Sequence, residues 1–205
     1  SMGEGYGPMI VAKQGVSEEE AKSSPIAVPG LKTSAYLGIR LCWGDLQYEV
    51  VPFDEIIPRI LDDTYKSGLI IHEGQLTYVD HDLNVLANLG IWWNEKTGGL
   101  PMPLGGNVVR RDLGQKMMED ITMYTKMSIE HSIANPDTAL EFAKKWGRGI
   151  DDDTNKEFVG MYVNDRTIDY RDEGRASSRR FIKEGQGIGL IREDFDTDAM
   201  RFIGA

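Results

Sequence analysis

Short apolar runs alternate with amphipathic stretches through the first half of the chain. Short apolar runs between turn residues are typical of buried strands. They predict strands at residues 9–12, 25–30, 48–51 and 68–71. Capping residues and helical spacing predict helices that begin at Ser17, at Thr33 or Ser34, and near Phe53. This alternation of strand and helix predicts an α/β fold with a mostly parallel sheet covered by helices.

The pattern changes at a segment rich in glycine and proline at residues 98–106, which predicts a crossing between two parts of the fold. Residues 107–109 predict one more short strand. Beyond them, apolar residues recur every three or four positions from Leu113 to Tyr124, which predicts a long helix. Asn135 and Pro136 then supply a cap and a first-turn proline for another helix.

Composition and charge limit the class of protein. The net charge of −10 argues against a nucleic-acid partner, because phosphate groups would repel the surface. The single cysteine, Cys42, permits no internal disulfide and is interpreted as a buried structural thiol. No apolar run approaches the roughly 18 residues that span a membrane. We therefore expect a protein that binds neither nucleic acid nor a membrane; a cytoplasmic location is a separate prediction.

A histidine and a carboxylate, His72 and Glu73, directly follow the predicted strand at residues 68–71. Open α/β sheets bind ligands at the carboxyl ends of their strands. The imidazole of histidine exchanges protons near neutral pH. His72 is therefore a candidate general base with Glu73 as its acidic neighbour. The alternative is a histidine that only ends the strand and bonds to backbone.

The turn at residues 30–34 links a predicted strand to a helix and carries Thr33 and Ser34. The N–H groups and the dipole at a helix N-terminus attract anions, and the two hydroxyls add donors. This turn is a candidate site for a carboxylate or a phosphate. Simple helix capping, which needs only one of the two hydroxyls, is the other interpretation.

Asn107 and Arg111 follow the crossing segment and are candidate substrate-binding residues. An arginine at this place can pair with a ligand carboxylate. Pairing of an arginine with Asp112, or exposure to solvent, is equally compatible with the sequence.

Cofactor and metal motifs are lacking in the sequence. The glycine clusters at residues 3–7 and 185–189 do not fit the dinucleotide fingerprint. Histidines and carboxylates do not gather at ligand spacing. We therefore predict an activity that uses neither a cofactor nor a metal.

Several segments together resemble the 1,4-dihydroxy-6-naphthoate synthase family of the futalosine route to menaquinone. The resemblance is carried by residues 26–36, 68–73, 89–98, 100–105, 110–113 and 162–164. It implies a periplasmic-binding-protein-like fold of type II, with the ligand in a cleft between two lobes. This chain would supply the second lobe at residues 8–104. Residues 105–205 would add a strand and helices that belong to the first lobe, which would be incomplete.

The resemblance also implies an activity and roles for the candidate residues. The reaction would be the lyase conversion of cyclic dehypoxanthinylfutalosine to 1,4-dihydroxy-6-naphthoate, with His72 as the base. Thr33 and Ser34 would hold a small carboxylate-bearing substrate. The implied partner is a second copy of the chain, or a chain that supplies the missing lobe.

Three rivals remain open at this point. One is a solute-binding protein that has the same fold and performs no chemistry. Another is a catalytically dead paralogue that retains only the second lobe. The third is chorismate dehydratase, a relative with the same fold.

Overall fold

The computed structural model describes residues 1–72, 74–144 and 152–204, as a mixed α/β structure. The strands are β1 Met2–Gly3, β2 Met9–Lys13, β3 Ile26–Val28, β4 Tyr48–Val50, β5 Ser67–Ile70, β6 Leu83–Asn88 and β7 Met102–Pro103. The helices are α1 Glu18–Lys22, α2 Ser34–Trp43, α3 Ile56–Leu61, α4 Gly74–Thr77, α5 Leu89–Thr97, α6 Gln115–Ala134, α7 Pro136–Lys144, α8 Asp152–Tyr162, α9 Asp165–Ile168 and α10 Arg171–Gly187. Short 3₁₀ turns lie at Phe53–Glu55, Tyr78–His81 and Arg111–Leu113.

Five strands form the main sheet, in the order β4-β3-β5-β2-β6. Strand β3 pairs in parallel with both β4 and β5. Strand β2 pairs antiparallel with β5 on one side and with β6 on the other. Four strands therefore point the same way and β2 alone is reversed. The chain enters β2 at the edge where the other four strands end.

Both faces of the three central strands, β3, β5 and β2, are buried, as expected for strands covered by helices on each side. Neighbouring residues of a strand point to opposite faces. Ile10 of β2 accordingly lies in one core cluster and Val11 in the other. Leu69 and Ile70 of β5 divide in the same way. The first cluster also contains residues of α2, α5 and α10, and the second contains residues of α3.

The segment before β2 lies directly on the start of helix α5. A Cβ atom added to Gly90 would lie 2.0 Å from the carbonyl oxygen of Tyr6. The N–H of Leu89 donates to the carbonyl of Pro8 at 2.9 Å. Only a glycine permits so close an approach of two backbones. This contact fixes where Tyr6 enters the edge of the sheet.

Helix α10 ties the C-terminal part of the chain to the α/β part. Trp93 of α5 is fully buried, and its ring Nε1 donates to Ser177 Oγ at 2.9 Å. Ser177 Oγ in turn donates to the carbonyl of Pro101 at 2.6 Å. Phe181 packs edge-on against Trp93, with 5.1 Å between ring centroids. These buried contacts hold α10 against α5 and β7.

The predicted strands of the first half, and the helices that begin near Ser17 and Ser34, are confirmed within a residue or two at their ends. The helix predicted to begin near Phe53 starts instead at Ile56, after a 3₁₀ turn at Phe53–Glu55. The expectation of a mostly parallel sheet is also confirmed, with β2 as its exception. The strand predicted at residues 107–109 is wrong, since those residues form no strand and Val108 is 97% exposed. The short strand β7 lies instead inside the crossing segment, because β1 is there to pair with it.

Helix α6 follows the predicted spacing, but its apolar face is exposed in the part of the chain that the structure describes. Met117, Ile121 and Tyr124 are 50%, 39% and 65% exposed. None of the described helices is long and apolar enough to cross a membrane.

The contact between Gly90 and Tyr6 gives the first prediction, which concerns stability. Alanine normally favours a helix over glycine by about 1 kcal/mol. We nevertheless expect Gly90→Ala to lower the free energy of unfolding in urea by about 2 kcal/mol or more, because the new methyl group would overlap the Tyr6 carbonyl. Gly187→Ala, a helical position with open space around the added carbon, is the matched control and should be neutral or stabilising. Equal effects at the two positions would contradict the packing described here.

Candidate active site

The carboxyl ends of the three parallel strands bring three segments to one edge of the sheet. Phe53 follows β4, the turn with Thr33 and Ser34 follows β3, and His72 follows β5. Because β2 is reversed, Tyr6 reaches the same edge from the other direction. The structure thus brings the predicted base and the predicted anion-binding turn to the same side of the sheet.

His72 lies in a left-handed backbone conformation, with a φ of 58°. Such a conformation is uncommon for a residue other than glycine and has to be held by its surroundings. The N–H of Gln75 donates to the carbonyl of His72 at 3.1 Å and closes the turn that leads into α4. The side chain of His72 is exposed, so a ligand can reach its imidazole.

Two phenylalanine rings from different parts of the fold flank the imidazole. The centroid of the Phe53 ring lies 4.6 Å from that of His72, and the centroid of the Phe158 ring lies 6.3 Å away. Phe53 follows β4, whereas Phe158 belongs to helix α8 in the C-terminal part. His72 therefore lies where the α/β part meets the C-terminal helices.

Glu73, the predicted acidic neighbour of His72, lies outside the described residues. Its role stays a prediction made from the sequence.

A buried polar pair lies behind the His72 turn. Gln75 is 3% exposed, and its Nε2 donates to the phenol oxygen of Tyr162 at 2.7 Å. The ring of Tyr162 packs against that of Phe158 at 4.7 Å. The Oε1 atom of Gln75 is buried and meets no donor among the described residues. Among the described residues, the amide nitrogen therefore has a hydrogen-bond partner and the amide oxygen has none.

The end of α8 is held by further polar contacts. The phenol of Tyr6 donates to the carbonyl of Met161. Asn164 Nδ2 donates to the Tyr6 phenol oxygen at 3.2 Å. Thr167 Oγ1 donates to the carbonyl of Tyr162 at 2.8 Å. Tyr6 thus links the entry to β2 with the helix that carries Phe158 and Tyr162.

Burial raises the pKa of two phenols in this region. The pKa of Tyr162 rises to about 12, mainly through burial, and the bond donated by Gln75 offsets part of that rise. Burial also raises the pKa of Tyr6, against a lowering by its bond with Asn164. Both phenols are therefore protonated near neutral pH and carry no charge.

The hydroxyls of the predicted anion-binding turn already have partners in the chain. Thr33 is the N-cap of α2, and its Oγ1 accepts from the N–H of Tyr36 at 3.0 Å and donates to the carbonyl of Gly30 at 2.8 Å. Ser34 Oγ donates to the carbonyl of Leu104 at 2.6 Å. The capping interpretation thus describes Thr33, while a substrate role of either hydroxyl stays a prediction.

The remaining predicted binding residues lie on the surface beyond β7. Asn107 is exposed, and it follows Leu104, which contacts Ser34. Arg111 is also exposed, and its Nη2 donates to the carbonyl of Ala199 at 3.0 Å. Asp112 pairs with Arg110 and not with Arg111. Contact of Asn107 or Arg111 with a substrate stays a prediction.

Sequence reasoning missed the roles of Phe53, Phe158, Gln75 and Tyr162. The sequence contains one usable signal. Gln75 is a polar residue only three positions after His72, in the first turn of helix α4. The partner of Gln75 is separated from it by 87 positions. No local pattern identifies so distant a contact.

The chemistry of the described side chains favours proton transfer. Within residues 1–72, 74–144 and 152–204, no three His, Cys, Asp or Glu side chains are placed to share a metal ion. The Cys42 thiol is half-buried, and burial raises its pKa to about 11, which makes it a poor nucleophile. The exposed imidazole of His72 is the group at this edge that is suited to accept a proton.

Comparisons with known proteins identify relatives over most of the chain. A family model described as menaquinone biosynthesis matches residues 1–186. The 1,4-dihydroxy-6-naphthoate synthase of Thermus thermophilus is 33% identical over 190 residues, which are 93% of this chain and 69% of that protein. The enzyme of the same name from Streptomyces coelicolor is 29% identical over 197 residues, with the same shares of both chains.

Solved structures show the fold. A crystal structure of a protein from Archaeoglobus fulgidus superposes with a TM-score of 0.87 at 41% identity, over 93% of this chain and 71% of that one. A sulfonate-binding protein of a transporter from Methylobacillus flagellatus superposes at 0.61 with 13% identity, over 96% of this chain and 63% of that one. The second likeness shows the fold alone, and it confirms the expected periplasmic-binding-protein-like architecture.

The raised pKa of Tyr162 predicts how stability depends on pH. Between pH 10 and pH 12 the unfolded chain releases the phenol proton, whereas the folded chain keeps it. The free energy of unfolding therefore falls as pH rises in this window, by up to about 1.4 kcal/mol per pH unit. Tyr162→Phe removes this contribution, so its free energy of unfolding in urea should fall less steeply from pH 9 to pH 11 than that of the wild type. Parallel curves for the two proteins would show that the phenol of Tyr162 ionises equally in both states.

Proposed function

This chain belongs to the menaquinone biosynthesis family, and we propose that it acts there as a lyase that converts cyclic dehypoxanthinylfutalosine to 1,4-dihydroxy-6-naphthoate in the cytoplasm. Membership of the family supports an enzymatic role. The name shared by the two curated relatives supports the specific reaction. The proposed reaction breaks a carbon–carbon bond and uses no cofactor.

The observation that carries this proposal is the placement of His72. A lyase without a cofactor needs a base that removes a proton from the substrate as the carbon–carbon bond breaks. The imidazole of His72 is exposed at the carboxyl edge of the sheet, where open α/β sheets bind their ligands. In its neutral form it accepts that proton. We assign His72 as the general base and Glu73 as its acidic neighbour.

The aromatic rings beside His72 suit the substrate that we propose. The product is a flat bicyclic aromatic acid, and flat rings pack favourably on phenylalanine in offset or edge-on geometry. Phe53 and Phe158 reach the imidazole from opposite parts of the fold. We therefore propose that the substrate lies between the α/β part, residues 8–104, and the C-terminal part, residues 105–205.

The N-terminus of α2 is the proposed site for the substrate carboxylate. The first N–H groups of a helix have no partner within it, and the helix dipole favours an anion there. Such local donors are needed because the net charge of the chain, −10, repels an anionic ligand. The backbone of Thr33 and Ser34 supplies this site in our proposal, since their hydroxyls already donate within the chain.

Replacement of His72 tests the proposal. We expect His72→Ala to lower kcat about 10²- to 10⁴-fold, because a general base typically contributes that much. The assay follows release of 1,4-dihydroxy-6-naphthoate by chromatography, with the natural gene product that carries this sequence. His81→Ala, an exposed histidine in the nearby 3₁₀ turn, is the matched control and should retain wild-type turnover.

Two outcomes would contradict the proposal. Unchanged turnover in His72→Ala would remove His72 as the base. Tight binding of the substrate by the wild type without any product would favour the non-catalytic solute-binding alternative.

A further inference from the structure

We propose that Gln75 and Tyr162 are positioning residues, whose hydrogen bond holds the turn that presents His72 to the substrate. This inference rests on the proposed function of His72 as the base. Neither residue needs to touch the substrate for the inference to hold.

The His72 turn needs support because its backbone is strained. The φ of 58° places the backbone of His72 in the left-handed region, which residues with a Cβ atom rarely occupy without supporting contacts. The main-chain N–H of Gln75 holds the carbonyl of His72. The side chain of Gln75 then anchors the same turn to Tyr162 at 2.7 Å. Gln75 therefore holds the turn through both its backbone N–H and its side chain.

Stability alone does not explain a glutamine at this position. The side chain is 3% exposed, and its Oε1 meets no donor among the described residues. A buried acceptor without a donor destabilises the folded state. Replacing both members of the pair with apolar groups of similar shape is close to neutral or even stabilising. A buried polar pair that carries this cost indicates a task other than holding the fold together.

Two residues of helix α8 contact the imidazole of His72 and the turn behind it. Phe158 and Tyr162 are four positions apart and lie on one face of the helix, with their rings 4.7 Å apart. Phe158 contacts the imidazole ring, and Tyr162 holds the turn behind it. The Tyr6 phenol secures the end of the helix at the carbonyl of Met161. The placement of the imidazole is therefore set from the C-terminal part of the chain.

The test compares two double variants that each remove two polar side-chain groups, at opposite ends of strand β5. Gln75→Leu with Tyr162→Phe removes the polar pair behind His72. The control, Ser67→Ala with Tyr65→Phe, removes a buried hydroxyl that has no partner among the described residues and a phenol that donates to Glu49. Ser67 and Tyr65 lie at the amino end of β5, away from His72.

Three measurements are made on each protein: the urea midpoint, kcat and KM, and the histidine ring signals in NMR spectra. The His72 signal is identified by its loss in His72→Gln. We expect the Gln75/Tyr162 variant to keep a midpoint at or above that of the wild type. Its kcat should fall about 10- to 100-fold with KM changed less than threefold, because a misplaced base slows the chemical step. The ring signal of His72 should shift or broaden, and those of His81 and His131 should not.

The outcomes separate this inference from the proposed function. A shifted His72 signal with lower kcat and an unchanged midpoint supports positioning. A lower midpoint with unchanged kcat and an unmoved His72 signal overturns it and leaves the pair a structural contact. If the wild type shows no turnover, the proposed function fails, and the His72 signal still decides whether the pair positions the ring.

Discussion

The reversed strand β2 is the constraint on which the rest of the structure depends. It pairs with β5 and with β6, and so joins the three parallel strands to the last strand of the sheet. Because it runs against its neighbours, the chain enters it at the carboxyl edge. Tyr6 is thereby placed beside α8, and the glycine at position 90 allows the backbone before β2 to pass over α5. The position of α8 relative to His72 follows from this arrangement.

The candidate site combines exposure of one polar group with burial of another. The imidazole of His72 is open to a ligand, while the amide of Gln75 is buried behind it, and its oxygen meets no donor in the described part of the chain. Strain in the backbone of His72 and the unsatisfied amide oxygen occur within four residues of each other. Proteins retain such local costs mainly where function requires a fixed geometry. Both costs fall on the turn that we propose as part of the active site.

The sequence predicted which residues lie at the carboxyl edge of the sheet, but it did not predict their contacts with the C-terminal helices. Strand ends follow from short apolar runs, so His72 and Thr33 could be placed at the carboxyl edge from the sequence. The reversal of β2 could not be predicted from the sequence, because an alternation of strands and helices does not show which way each strand runs. The strand predicted at residues 107–109 failed because an apolar run forms a strand only where a partner strand is available. Gln75 and Tyr162 were missed because their contact depends on the docking of α8, which no local pattern records.

A crystal structure of His72→Asn with cyclic dehypoxanthinylfutalosine bound tests the central claim most directly. The asparagine keeps a polar side chain at the strand end and slows turnover enough to retain the ligand. Our account predicts that the flat ring system of the ligand lies at the carboxyl edge, against Phe53 and Phe158. After superposition of the wild type, the imidazole of His72 should come within hydrogen-bond reach of a ligand atom, about 2.6–3.2 Å. A ligand seated elsewhere, with its nearest atom beyond the reach of that ring, would contradict the assignment of His72 as the base.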